Sequence, residues 1–314
     1  MSSAGPFLQE MLTLYGIAIL GFFVRKRGIL NEHANDVLTH LILNITLPAL
    51  ILFSLDISFS FDTIKDFLWL ISMSMYILVL SCFLARWMKK RAELEKKQKN
   101  VYEGLIIFGN QGFIGYAVSF ILFGEQGIIY LTIFNLCYLI LIWTYGIFLF
   151  SNSKDAISWK QIFMNPGILS TFAGLILFLL PANLPAMVSS GLESVGKMTI
   201  PLSMMLIGSL VAKVKDKDLF LLIKNRYLWK MAIARLLFIP FLLLPFAIIS
   251  VPDSLLITAI LVSGMPAAPT ITLFSQKYGA DTLFASLGVL ITTMLCIVTI
   301  PLLYLILNIF YIFF

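Results

Sequence analysis

Apolar runs long enough to cross a hydrocarbon core recur from one end of the chain to the other, separated by short segments that are polar or carry Pro and Gly. They predict helical spans over 7–24, 35–55, 66–87, 103–123, 127–150, 167–181, 186–211, 228–250, 254–275 and 281–311. The breaks fall at Arg25–Asn31, Asp62–Asp66, Lys89–Asn100, Gly124–Gly127, Ser151–Asn165, Pro181–Pro185, Lys213–Arg226, Val251–Ser254 and Lys277–Asp281. None could hold a soluble domain. The expected fold is therefore all-α and membrane-embedded: ten helices in one unit, with a first set of five over 1–150 and a second over 151–314.

Composition agrees: 60% of the 314 residues are hydrophobic and only 12% are charged, too few to coat a water-soluble globule. Met1 to Gln9 carries no Lys or Arg, unlike the start of a cleaved signal peptide, so the first run is expected to remain a span. Cys82, Cys137 and Cys296 are far apart within apolar runs and read as reduced, buried thiols.

The formal net charge of +6 would suit nucleic acid or anionic lipid if it formed one surface. It follows topology instead, and no nucleic-acid partner is expected. Odd-numbered breaks hold Arg25, Lys26 and Arg27, then the basic residues of Lys89–Lys99, then Lys154 and Lys160, then those of Lys213–Arg226, then Lys277; the even-numbered breaks hold only Lys65. Because positive charge is retained in the cytoplasm, both termini are expected outside, in a cell (inner) membrane. Trp87, Trp159 and Trp229 beside Arg86, Lys160 and Lys230 suit an inner-face aromatic belt.

With five spans per half, the second half enters the membrane in the opposite sense, so any duplication is an inverted repeat. Gly109 and Gly124 flank the fourth span's centre with the spacing at which Gly264 and Gly279 flank the ninth's, and Pro48 and Pro201 hold similar places in the second and seventh spans. The fourth span contains the polar, glycine-dense stretch Gly109-Asn110-Gln111-Gly112-Phe113-Ile114-Gly115; the ninth contains Gly264-Met265-Pro266-Ala267-Ala268-Pro269-Thr270, whose prolines disrupt the i−4 ladder. Both are expected to unwind. Free backbone groups survive in a membrane only against protein or a watery cavity, so matched breaks should face each other, as in transporters. Half-helix N-termini suit a carboxylate. The plainer alternative is close glycine packing plus a proline kink.

Asn110 and Gln111 could orient a substrate. Asn44 and Thr46 before Pro48, and Thr199 before Pro201, read equally as substrate contacts or as interhelical hydrogen bonds. Glu193 and Lys197, spaced i, i+4, read first as a self-neutralising pair and second as a coupling site. His40, one turn from Asn44, reads first as a hydrogen-bonded interfacial histidine and second as a titrating group. Arg235 is expected to snorkel to the interface beside Lys230, leaving no Lys or Arg near the centre of either break.

Arg27-Gly28-Ile29-Leu30, Asn44-Ile45-Thr46-Leu47-Pro48, the Gly109–Gly115 stretch, Met265-Pro266-Ala267-Ala268 and Tyr278-Gly279-Ala280, in this order over essentially the whole chain, resemble the auxin efflux carrier family. The family comprises bacterial organic-acid permeases and plant PIN-type auxin transporters. The resemblance implies two inverted five-helix repeats, crossed broken helices four and nine cradling a carboxylate, and often a homodimer. It places the substrate-contacting asparagine on Asn110 and the crossover proline on Pro266. Gln111, Gly112, Asn44, Ala267 and Thr270 are further candidate binding residues from their place in or near the breaks. Gly109, Gly115, Pro269, Pro48 and Pro201 are candidates for shaping the crossover. Ala117 and Thr270 depart from the pattern, standing where many members have a proline and a polar amide. The short loop between the fifth and sixth spans resembles bacterial members.

No GxSxG, HExxH or GxGD pattern occurs, and no metal, cofactor or catalytic residue is expected. A secondary transporter of a small carboxylate is the leading reading; a channel or a ligand or sterol sensor on the same scaffold is the alternative. With no strongly acidic site at mid-depth, proton coupling or uniport fits better than sodium coupling.

Overall fold

The computed structural model describes residues 4–57, 60–151, 160, 163–180, 184–212, 220, 224–249 and 251–313. Lys154, Trp159, Pro181, Asn183, Lys213, Lys215 and Lys217 lie outside them. The described residues form helices α1 (Ala4–Lys26), α2 (Glu32–Ser54), α3 (Phe61–Arg91), α4 (Lys96–Ile107), α5 (Gln111–Phe123), α6 (Glu125–Ser151), α7 (Pro166–Leu179), α8 (Ala186–Val211), α9 (Arg226–Ile249), α10 (Asp253–Ser263), α11 (Thr270–Lys277) and α12 (Thr282–Phe313). Seven of them, α1, α2, α3, α6, α8, α9 and α12, are long and apolar enough to cross a membrane. Each predicted apolar run coincides with a helix, except that the fourth and ninth are each split in two.

Short polar side chains set the starts. Asn31 Oδ1 accepts from Ala34 N at 2.8 Å, Asn165 Oδ1 from Gly167 N at 3.0 Å, Asn225 Oδ1 from Tyr227 N at 3.0 Å and Asp281 Oδ1 from Phe284 N at 2.9 Å. Between α5 and α6 the chain reverses on one residue, Gly124, whose φ of +59° few other residues would tolerate.

Large apolar side chains such as Leu12, Phe83 and Val298 lie exposed along the shafts, at 68%, 65% and 65%, as expected of helices solvated by lipid. Helices α1, α2, α7 and α8 pack on one another, while α3 to α6 and α9 to α12 form a second group. The first turn of α5 leans on α8 across the boundary between them.

Three of the basic breaks meet at one end. Arg226 Nη2 lies 2.9 Å from Glu93 Oε2, and Gln98 Nε2 donates to Asp281 Oδ2 at 2.9 Å, tying together the segments before α4, α9 and α12. At the other end of α3, Asp56 accepts from Leu184 N and Ser189 Oγ, both at 3.0 Å.

Candidate functional site

The two helix breaks meet as a pair of antiparallel strands one residue deep. Asn110 N donates to Pro266 O at 2.6 Å, Ala268 N donates to Phe108 O at 2.9 Å, and Gly109 stands opposite Ala267. Each break thus satisfies the other's backbone, which removes the cost of unwinding two helices among buried side chains. The unwound part of the fourth run is shorter than the glycine-dense stretch suggested. It covers Phe108–Asn110, whereas Gln111–Gly115 closes into a π turn that opens α5.

Further bonds fix the crossing. Asn110 Oδ1 accepts from Phe113 N at 3.3 Å and caps α5, leaving its amide nitrogen as the group that could reach a ligand. Tyr138 Oη donates to Gly109 O at 2.7 Å, and Ala267 N donates to Thr292 Oγ1 at 3.0 Å. Gln111 is buried, and beside the half-buried Gly112 there is open space where a Cβ would stand. Pro269 and Thr270 open α11, so the first turns of both half-helices α5 and α11 begin at the crossing.

Arg235 corrects the sequence reading. It is buried within a π turn of α9 at Ala234–Phe238, where Nε donates to Met265 O at 2.9 Å and Nη1 to Ile107 O at 3.0 Å and Ile106 O at 3.3 Å. Nine residues into α9 it is about 13 Å along the axis, too deep to snorkel past Lys230. A full positive charge therefore stands at the crossing. The sequence signal was present, since an arginine inside an apolar run marks function by default. Beside it is a cavity of about 10 Å³, room for about one water, bordered by Ser74, Gln111, Tyr138 and Ser263.

A second cluster involves Glu103, the first residue of the predicted fourth span. Helix α4 continues back to Lys96, and Glu103 is buried. Lys89 Nζ reaches Glu103 Oε2 at 2.6 Å and Asn100 Oδ1 at 2.7 Å, Tyr145 Oη donates to Glu103 Oε1, and Arg86 Nε lies 3.6 Å from that oxygen. A cavity of about 430 Å³ opens beside them, with Arg86, Lys89, Lys90 and Lys99 against the single acid, so its field favours anions.

Other predicted residues lie elsewhere. Asn44 is exposed, and its amide nitrogen is used on its own helix, 2.9 Å from His40 O and 3.3 Å from His40 Nδ1. Thr46 and Thr199 bond to each other through their hydroxyls at 3.0 Å, buried between α2 and α8, and each precedes its proline, Pro48 or Pro201, by two residues. Of the two readings left open for them, interhelical bonding is what the structure displays. Glu193 and Lys197 form the expected ion pair on α8.

Facing helix breaks in a bundle of apolar helices are an arrangement that many membrane carriers use. The chain matches the membrane transport protein family over residues 6–158 and 153–304. The chain belongs to that family. Membership bears out the resemblance to auxin efflux carriers and assigns a transport function across a membrane. Among curated proteins, the chain is similar to an uncharacterized transporter of Methanocaldococcus jannaschii, 26% identical over 210 residues, covering 64% of this chain and 68% of the relative.

Proposed function

We propose that the protein is a secondary transporter that moves a small organic carboxylate by alternating access, with the anion bound at the crossing of the two helix breaks. In this reading α4 with α5 is the fourth membrane helix and α10 with α11 the ninth, and ten helices form two inverted repeats over 1–150 and 151–314. The reciprocal pair of backbone bonds, Asn110 to Pro266 and Ala268 to Phe108, carries the reading. Such a pair has the twofold pattern that inverted repeats would create, and the Thr46–Thr199 bond, equally placed before its two prolines, has it too.

The anion would be held by the first turn of α5 beside Gly112, where the helix dipole and outward N–H groups favour negative charge, by the Asn110 amide nitrogen and by the nearby first turn of α11 at Thr270. Gln111, Pro266 and Ala267 wall the site. The Arg235 charge adds to the attraction, so the set of polar groups at the crossing is cationic on balance. The basic cavity at Arg86 and Lys89 would draw anions to one mouth. The group of α1, α2, α7 and α8 would serve as a frame against which the second group moves. Coupling to protons, assembly as a homodimer, and a cell (inner) membrane with both termini outside complete the proposal; His40 and the Glu193–Lys197 pair are the candidate coupling groups.

The test is counterflow in proteoliposomes with a panel of radiolabelled acids running from acetate to malate and indole-3-acetate, each paired with its neutral amide. Saturable exchange of at least one acid, and none of its amide, is expected. Non-saturable flux would mean a channel, and binding without flux a sensor.

A further inference from the structure

The three oxygens that receive Arg235 have a common origin. Ile106 and Ile107 are the last residues of α4, and Met265 lies two residues beyond the end of α10. Carbonyls at a helix C-terminus have no intrahelical donor and carry the negative end of the macrodipole. Oxygens of this kind, converging from two interrupted helices, are the ligand set with which carriers hold a small monovalent cation. Here a guanidinium holds them. Arg235 is only 2% exposed and forms no ion pair with a carboxylate among the described residues, so it is these carbonyls that solvate its charge.

We propose that the crossing is a monovalent-cation site that the protein fills with its own side chain, the Arg235 guanidinium standing where a coupling sodium ion would otherwise bind. The tether joins the carboxyl ends of α4 and α10 across the break and keeps the Gly109–Ala267 pairing closed without any added ion. It follows that sodium has no site here and cannot drive the cycle through this crossing. The inference does not depend on the cargo being a carboxylate, since it concerns only what holds the two breaks together.

Thermal unfolding of the purified full chain in detergent tests it, at constant ionic strength, with choline chloride exchanged for sodium chloride or for millimolar guanidinium chloride. The wild type should unfold at one temperature in choline and in sodium. Arg235→Ala should unfold about 5 °C lower or more, and guanidinium or sodium, but not choline, should restore part of the loss in a saturable way. Arg235→Lys, which keeps the charge, should be more stable than Arg235→Gln, which keeps only hydrogen-bonding capacity, and this comparison decides the matter if the alanine variant does not accumulate. A wild type stabilised by sodium over choline would sink the proposal, because the site would then be open. So would equal stability of the lysine and glutamine variants, or an alanine variant that is as stable as wild type or indifferent to every cation.

Discussion

Gly109 and Arg235 touch so closely that a Cβ placed on Gly109 would stand 1.9 Å from Arg235 Nη2. The glycine leaves the space that the guanidinium occupies, and three carbonyl bonds keep the guanidinium from withdrawing. Gly109→Ala should therefore destabilise the chain by about 1–3 kcal/mol through overpacking, read as a lower unfolding temperature. Gly112→Ala, where a Cβ meets nothing within 4 Å, should leave stability unchanged. In a double variant with Arg235→Lys, which lacks the planar fork, the two losses should fall short of additive. Additive losses would show that the two residues are not in competition for one space.

Three basic segments, those before α4, α9 and α12, meet at one end of the bundle, and the orientation proposed above puts that end in the cytoplasm. In a background with Cys82, Cys137 and Cys296 replaced, a cysteine at the exposed Asp253 should react with an impermeant thiol reagent from outside intact cells, and one at the exposed Lys96 should not. Labelling at Lys96 without labelling at Asp253 would invert the orientation.

Much of this architecture was legible from the chain because its determinants are local. Apolar run length, Asn and Asp caps, and the glycine and proline clusters at Gly109 and Pro266 located the helices and both breaks to within a few residues. What stayed hidden depended on partners distant in sequence. Arg235 finds its carbonyls 30 residues away at Met265 and 128 away at Ile107. Glu103 is made tolerable by Lys89 and Tyr145 from two other helices. Hydropathy cannot separate such a residue from one reaching for the interface, because the apolar neighbours are the same. Asn44 is local instead: its amide turns back on His40, the neighbour one helical turn away that the sequence read as hydrogen-bonded.

Glu193 and Lys197 pair on α8, and a pair of opposite charges within one helix is neutral as a unit. If pairing is their main role, Glu193→Gln with Lys197→Met together should leave the initial rate of carboxylate exchange nearer to wild type than either change alone, since each single variant leaves one charge without its partner. Loss in the double variant as deep as in the worse single variant would instead assign one of the two to the transport cycle.

The Asn110 side chain has two separable tasks, so its substitutions must be chosen to divide them. Its oxygen caps α5 through Phe113 N, while its nitrogen is the proposed donor to the substrate carboxylate. Asn110→Ser retains a capping oxygen and should keep most of the stability, but it loses the donor; affinity for the transported acid should fall about ten- to hundredfold, the equivalent of about 1.5–3 kcal/mol for a bond to a charged group. Pro266→Ala works on the opposite partner of the same backbone bond. Restoring an N–H at position 266 lets α10 continue into the break and draws the carbonyl at that position away from Asn110 N, so exchange should slow while the protein still assembles. Competition binding and exchange rates in matched proteoliposomes measure both. Unchanged affinity in Asn110→Ser together with an unchanged rate in Pro266→Ala would move the substrate site away from the crossing, whatever Arg235 does there.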